Sequence, residues 1–467
     1  SGHRAIGIHG YQHHGIMWAR RGYVALLFDT IEQHDNPGSH RGTYWGRRWD
    51  WISRGYTAAG GELLNSIRAL DLLCSLPEVD PERIGATGIS GGGAHSFYLA
   101  AADERIKAVA SVAGVTSLGY TLSHRSFLHH CDCMYMQNPY FRDNADFGAL
   151  IAPRPLLLCY ATEDSLFSPE EYRLLYRKLR RIYDLYGASD NCQLLEYPGP
   201  HSYSREAIDA TNRWFDAHVA REEHPPASLG PEGENPEDVV TVFNGRPPQP
   251  DRLDILPELL TMRGGVKLPS GPGDWSSARD EALSRLRERV FPTILDGEKL
   301  TVRMVGDWLA GESRYVKYSG SVAGMDVWIE VWIPPADPKD AIVALANLQI
   351  DGQGLLGRLR ERFPRVQIVT VEPRGTGLEG GFVSGQVLRA LSLVGLSTVT
   401  LWIHDLAEAL DFLRSSGVLD GRRVYLYGAG DAAAACLYVA AFDESVDGAV
   451  LEGLPDSHLC LLYTSPS

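Results

Sequence analysis

The sequence predicts an α/β fold, a mainly parallel sheet flanked by helices, present as two tandem copies. Three observations carry this. Short apolar runs alternate with segments of helical period through the first half of the chain. A stretch rich in Pro and Gly, with little periodicity, breaks the pattern from His224 to about Asp280. The alternation then resumes. At 467 residues the chain has room for about two to three domains and for cores of good size. Its net charge of −15 argues against nucleic-acid partners, which need a basic face, and against docking on an anionic membrane. No apolar run approaches the ~20 residues of a membrane span. Seven cysteines are too few, and odd in number, for a disulfide framework.

In order, Arg4–His9 reads as a strand and Tyr23–Asp29 (YVALLFD) as a buried strand of the parallel type. Thr57–Leu76 has helical period through Leu63, Ile67, Leu70 and Leu73. Arg83–Gly88 is a short strand, Gly91–Ala102 a helix, and Ile106–Val112 the next strand. Pro155–Tyr160 (PLLLCY) and Gln193–Tyr197 are two more, and Ala207–Ala220 closes as a helix. Such alternation implies right-handed crossovers in a parallel sheet.

Beyond the break, Ser277–Val290 looks helical. Tyr315–Ser319 and Val327–Ile333 read as an antiparallel pair. Ala341–Leu348, Val366–Val371 and Val424–Gly428 read as parallel core strands, with helices at Ile403–Arg414 and Ala432–Ala441 and a further strand at Gly448–Glu452. The boundaries are 1–222 for the first copy, 223–280 for the linker and 281–458 for the second copy, with 459–467 as a tail. Both copies are expected to be incomplete, the first at its opening strands and the second after its sixth. The chain starts at Ser1 rather than Met, so an upstream signal peptide would be invisible; secreted, periplasmic and cytoplasmic locations all stay open. Leu459–Ser467 (LCLLYTSPS) breaks the preceding pattern, resembles the adapter read-through of metagenomic assemblies, and is read as non-native.

The chemistry is concentrated at Gly88-Ile89-Ser90-Gly91-Gly92, which fits G-x-S-x-G between a strand and a helix. The turn is so tight that only small residues fit beside the serine. The hydroxyl is lifted above the sheet at a helix N-terminus, where N–H groups and a partial positive charge await an oxyanion. A bare pentapeptide is more often a glycine-rich turn; the flanking elements and the later partners shift the odds. Asp164 follows the strand PLLLCY, and His201 follows the strand ending at Tyr197. Ser, acid, His is the chain order expected of this arrangement. Serine needs the base because its own pKa is too high at neutral pH, and the base needs a carboxylate to fix its tautomer. Against these roles stand bland ones: a helix N-cap for Asp164, with Glu163 as its competitor, and an exposed loop residue for His201. The backbone N–H groups of Gly91 and Tyr11 are the expected oxyanion hole, Tyr11 because His9-Gly10-Tyr11 follows the first strand.

These residues resemble bacterial α/β-hydrolases of the acetyl xylan esterase and dienelactone hydrolase type, in particular large proteins with tandem hydrolase domains. The resemblance covers about residues 4–220. It rests on Trp18–Asp29 (WARRGYVALLFD), Pro37–Tyr44 (PGSHRGTY), Ser53–Ala59 (SRGYTAA), Asp80–Ser96 (DPERIGATGISGGGAHS), His130–Met136 (HCDCMYM) and Ile151–Leu157 (IAPRPLL). It implies an α/β-hydrolase fold and a serine carboxylic-ester hydrolase acting on acetylated or otherwise esterified carbohydrate such as xylan, with no cofactor. The second copy departs from the pattern. Its elbow reads Gly428-Ala429-Gly430-Asp431-Ala432, so the nucleophile position is Gly430, which has no side chain to attack with. Ile350-Asp351-Gly352 stands in place of His9-Gly10, and Glu372-Pro373-Arg374-Gly375 keeps a loop shape without obvious chemistry. This copy is expected to be non-catalytic.

Other residues carry weaker signals. His129, His130, Cys131, Asp132 and Cys133 form a ligand-rich run, but Cys-x-Cys without a second pair is poor for zinc, and no metal site is expected. A Cys131–Cys133 disulfide is expected to be strained. Trp45, Trp49 and Trp51, with Tyr44 and Tyr56, either line a sugar or acyl pocket or pack a long loop. Tyr11, Tyr44, Trp45 and Cys131 are taken as substrate-binding candidates. His95, early in the helix after Ser90, is read as packing. Two alternatives to the esterase stand: a prolyl-oligopeptidase-like serine peptidase, which shares the elbow, and a non-catalytic binding or scaffold role for the C-terminal half. The acyl group, the alcohol and the oligomeric state are left open.

Overall fold

The computed structural model describes residues 11–454, apart from 34–35, 37, 54, 137, 139, 223, 225–242, 244–251, 253–254, 261–268, 292–296, 348–350 and 377–384. The expected strand Arg4–His9, with His9-Gly10, most of the expected linker and the tail 459–467 lie outside the described residues. The chain divides into two compact units, Ser1–Met262 and Arg263–Ser467.

In the first unit, β1 (Ile84–Ile89), β2 (Ile106–Val112), β3 (Leu156–Ala161) and β4 (Cys192–Tyr197) form a sheet in the order β1-β2-β3-β4. All three pairings are parallel. The described helices around it include α1 (Tyr11–Arg20), α2 (Ala58–Ser75), α3 (Gly91–Ala102), α4 (Pro169–Leu185) and α5 (Arg205–Phe215). β3 shows why the fold holds. Its six residues are all buried, because it is covered on both faces. Leu156, Leu158 and Tyr160 join the cluster of Phe97, Tyr172, Leu175 and Leu179. The alternate residues Leu157, Cys159 and Ala161 join Trp214, Phe215 and Val219 on the other side. Helix α4 presents Tyr172, Leu175, Leu179 and Tyr183 as one buried stripe of helical spacing. Thr57 caps α2 by accepting the Gly60 N–H at 3.0 Å.

Tyr23–Asp29 corrects the expectation of a buried parallel strand: it forms no strand and belongs to no sheet. Its alternate residues Val24, Leu26 and Phe28 are exposed. A cavity of about 420 Å³ separates it from β1, with Tyr23–Phe28 on one wall and Ile84–Ile89 on the other. Strands pair only about 4.8 Å apart, so the apolar run cannot join the ladder across that gap.

In the second unit, β5 (Thr301–Ala310), β6 (Ser313–Val322), β7 (Met325–Ile333), β8 (Asp340–Leu345), β9 (Gln367–Glu372), β10 (Arg423–Ala429) and β11 (Gly448–Glu452) form a seven-stranded sheet in the order β11-β10-β8-β9-β7-β6-β5. β8 to β11 pair in parallel. β6 and β7 are the expected antiparallel pair, and β7 joins β9 antiparallel. β5 was not foreseen: it pairs with β6, but eight of its ten residues are exposed, so the sequence shows no apolar alternation there. Helices α6 (Gly352–Arg362), α7 (Thr398–Ser415) and α8 (Asp431–Phe442) accompany this sheet, and Trp402 on α7 is fully buried in its core. Among the described residues no single helix is long and apolar enough to cross a membrane.

Candidate active site

Ser90 stands at the junction of β1 and α3 with φ 57° and ψ −123°. A non-glycine residue in this region stores strain, which the surroundings must hold. They do so through backbone bonds: the Ser90 N–H donates to Val112 O of β2 at 2.9 Å, and the Ala94 N–H donates to Ser90 O at 2.9 Å. The glycines are required by close approach. A Cβ on Gly88 would lie 2.6 Å from Gly92 C, and one on Gly93 would lie 2.4 Å from Val112 O. Gly91 is the first residue of α3, so the helix N-terminus opens directly beside the serine.

Asp164 and His201 are brought together. Asp164 follows β3 and is buried; His201 follows β4 and is partly exposed. His201 Nδ1 and Asp164 Oδ2 are 2.6 Å apart, the length of a charge-assisted hydrogen bond. The Leu166 N–H donates to Asp164 Oδ1 at 2.8 Å, so both carboxylate oxygens are engaged. Glu163, the competitor, is exposed. The two loops are laced by Thr162 N–H to Tyr197 O and Glu163 N–H to Gly199 O. Gly199 takes φ +107°, the left-handed turn that carries the chain to the histidine. Phe167 stacks on the His201 ring at 5.8 Å between centroids, a contact that no spacing in the sequence announced.

The remaining candidates scatter. Tyr11 begins α1 and lines the cavity beside β1, together with Gly88 and Gly92. None of Ser90, Asp164 and His201 lines that cavity. The aromatic cluster splits. Trp49, Trp51 and Tyr56 are buried, whereas Trp45 is 68% exposed and meets Tyr44 edge-on. Cys131, expected at the substrate, is buried and joined to Cys133 as a disulfide. His95 is buried, with Nε2 2.9 Å from Glu62 Oε2. Burial pushes the Glu62 carboxyl up, but its contacts with His40 and His95 outweigh this and hold its pKa at about 2.

A parallel sheet with a tight strand–helix turn at its serine, and an Asp–His pair past the carboxyl ends of β3 and β4, is the arrangement of the α/β-hydrolase class. Residues 4–117 match the family model described as acetyl xylan esterase (AXE1). A Bacillus subtilis (strain 168) protein described as a hydrolase, YtaP, is 26% identical over 200 residues, which is 42% of this chain and 66% of YtaP. Among solved structures, Methylesterase BT1017 is similar at 29% identity and a TM-score of 0.30, over 38% of this chain and 39% of that one. A glucuronoyl esterase from Solibacter usitatus is similar at 21% identity and a TM-score of 0.30, over 35% and 49%. The chain thus spans less than two thirds of each of these relatives.

Proposed function

We propose that the first unit is a serine carboxylic-ester hydrolase working through an acyl-enzyme. Ser90 Oγ attacks the ester carbonyl while His201 takes its proton; Asp164 holds the imidazole tautomer and steadies the imidazolium. The N–H groups of Gly91 and Tyr11 stabilise the oxyanion. His201 then returns the proton to the leaving alcohol, and water releases the acid by the same steps in reverse. The reading rests above all on the 2.6 Å Asp164–His201 contact, together with the strained elbow conformation of Ser90. The family match favours acetylated or esterified carbohydrate such as xylan as the substrate, with Tyr44 and the exposed Trp45 as a sugar-stacking rim. A fluorophosphonate probe tests the nucleophile: wild type should label and Ser90→Ala should not. Labelling that survives in Ser90→Ala overturns the assignment. Acetylated xylan, p-nitrophenyl acyl esters and peptide amides, assayed side by side, then separate esterase from peptidase.

The second unit we read as a degenerate, non-catalytic hydrolase-like copy spanning about 281–458, joined through 223–280 to a catalytic domain at 1–222. One observation favours this. Gly430, at the turn from β10 into α8, has φ 57° and ψ −123°, the same pair as Ser90. The elbow geometry is kept where the nucleophile is not, which suits a binding or scaffolding role.

A further inference from the structure

The loop after β2 carries Cys131 and Cys133 into a buried cluster with side chains from three other segments. His40 comes from the loop before α2, Glu62 from α2 and His95 from α3. None of the five is more than 8% exposed. His40 Nε2 lies 3.2 Å from Cys131 Sγ, and His40 Nδ1 is hydrogen-bonded to Glu62 Oε1. One ligand atom each from His40, Cys131 and Cys133 lie within 4.8 Å of one another, and so do those from Glu62, His95 and Cys133. His95 Nδ1 has no hydrogen-bond partner although the residue is buried. The ester chemistry uses none of these groups.

We propose that this cluster is a structural zinc site, with His40 Nε2 and the thiolates of Cys131 and Cys133 as ligands, His95 as fourth donor, and Glu62 as the carboxylate that orients His40. Zn–N bonds of about 2.0–2.1 Å and Zn–S bonds of about 2.3 Å require tetrahedral donors about 3.5 Å apart, near the 3.2 Å that already separates His40 Nε2 from Cys131 Sγ, and Cys133 belongs both to the grouping with His40 and to the one with His95. Two sulfurs with an imidazole are a soft-to-borderline donor set, which selects zinc over calcium or magnesium. A carboxylate on the far nitrogen of a metal-binding histidine fixes its tautomer and aims the near nitrogen, and Glu62 already holds that place. The site is closed on all sides by protein, which suits a structural rather than a catalytic ion. Binding converts two thiols to thiolates: Zn²⁺ displaces two protons to solvent and forms two Zn–S bonds, with no change of oxidation state. The disulfide between Cys131 and Cys133 is the alternative state of the same sulfurs. A disulfide two residues apart closes a very short loop and so restrains little of the unfolded chain. A metal that also draws in His40 and His95 ties the loop of Cys131 to the loop before α2 and to α3, the helix beneath Ser90. Contacts already run this way: the Tyr44 N–H donates to Asp132 Oδ2 at 2.9 Å, and Tyr98 Oη donates to Met134 O at 3.0 Å.

The test uses the full chain, purified without a metal-binding tag and kept in phosphine reductant throughout. Mass spectrometry of metals should find about one zinc per chain, and exchange with cobalt(II) should give thiolate-to-cobalt charge-transfer absorption with tetrahedral visible bands. Cys133→Ser should lose that charge-transfer intensity and the zinc. Glu62→Gln should keep the bands while weakening affinity about 10–100-fold, as loss of an orienting carboxylate does. If Cys133→Ser fails to fold, the cobalt spectrum of the wild-type protein still decides. Reduced protein with both thiols titratable that takes up neither ion overturns the proposal. So does cobalt bound without a thiolate band, or a Cys131–Cys133 disulfide recovered intact from reductant.

Discussion

Replacing Asp164 with Asn changes one atom in the site, and its effect follows from the hydrogen bonds around the carboxylate. Asp164 Oδ1 accepts the Leu166 N–H at 2.8 Å, while Oδ2 faces His201 Nδ1 at 2.6 Å. An asparagine keeps its carbonyl oxygen toward the Leu166 N–H, because an amide NH₂ there would meet a donor. The NH₂ therefore faces His201 Nδ1. The histidine then holds its proton on Nε2 and accepts at Nδ1, the wrong tautomer for a base that must take the serine proton at Nε2. In Ser–His–Asp sites generally this exchange lowers kcat by about 10⁴, which at 1.36 kcal/mol per decade is about 5 kcal/mol of barrier. The assay is steady-state hydrolysis of p-nitrophenyl acetate, with the rate of fluorophosphonate labelling as an independent measure and circular dichroism to confirm the fold. Both rates should fall together. A loss smaller than about tenfold would mean that another group orients His201, and the role given to Asp164 would be withdrawn.

Three further outcomes follow from the same geometry. Gly88→Ala should open the elbow, because its Cβ would meet Gly92 C at 2.6 Å; stability should fall by about 1–3 kcal/mol in urea titration, with probe labelling lost. Gly430→Ser should fold and remain unreactive toward the probe: nothing lies within 4 Å of the added Cβ, and the cost is about 1 kcal/mol for a side chain at φ +57°. Asp431 has its pKa raised to about 6 by burial, and its Oδ2 has no hydrogen-bond partner. A carboxyl raised on folding contributes stability that is complete below its unfolded pKa, near 4, and lost as pH rises through about 6. Asp431→Asn should therefore be more stable than wild type at pH 8, by about 1–2 kcal/mol after discounting for solvent screening, and equal to it near pH 4.

What the sequence disclosed and what it hid divide along a physical line. β2 and β3 were legible because a strand covered on both faces must be mostly apolar, and IKAVASV, interrupted only by Lys107 and Ser111, and LLLCYA have few other uses. The same rule overreached at Tyr23–Asp29, since an apolar extended run is necessary for a core strand but pairing is decided by a neighbour. It underreached at β5, where a strand with most of its residues exposed leaves no apolar period to read. The site divides in the same way. Asp164 and His201 could be proposed as partners because the fold fixes where along the chain each strand end falls, and they are in fact bonded. His40, Glu62 and His95 could not be joined to Cys131 and Cys133, because spacing rules for metals look for ligand pairs close in sequence and this set comes from four separated segments. Only the local run His129–Cys133 was visible, and its Cys-x-Cys without a second pair argues against zinc. Once α2 and α3 are packed side by side, Glu62 stands between two imidazoles, and the cysteine pair becomes the local part of a non-local site. The two elbows press the point from the other side. Ser90 and Gly430 share one backbone conformation although only the first carries a side chain, so the turn answers to strand–helix packing, and the side chain placed on it is free to be kept or lost.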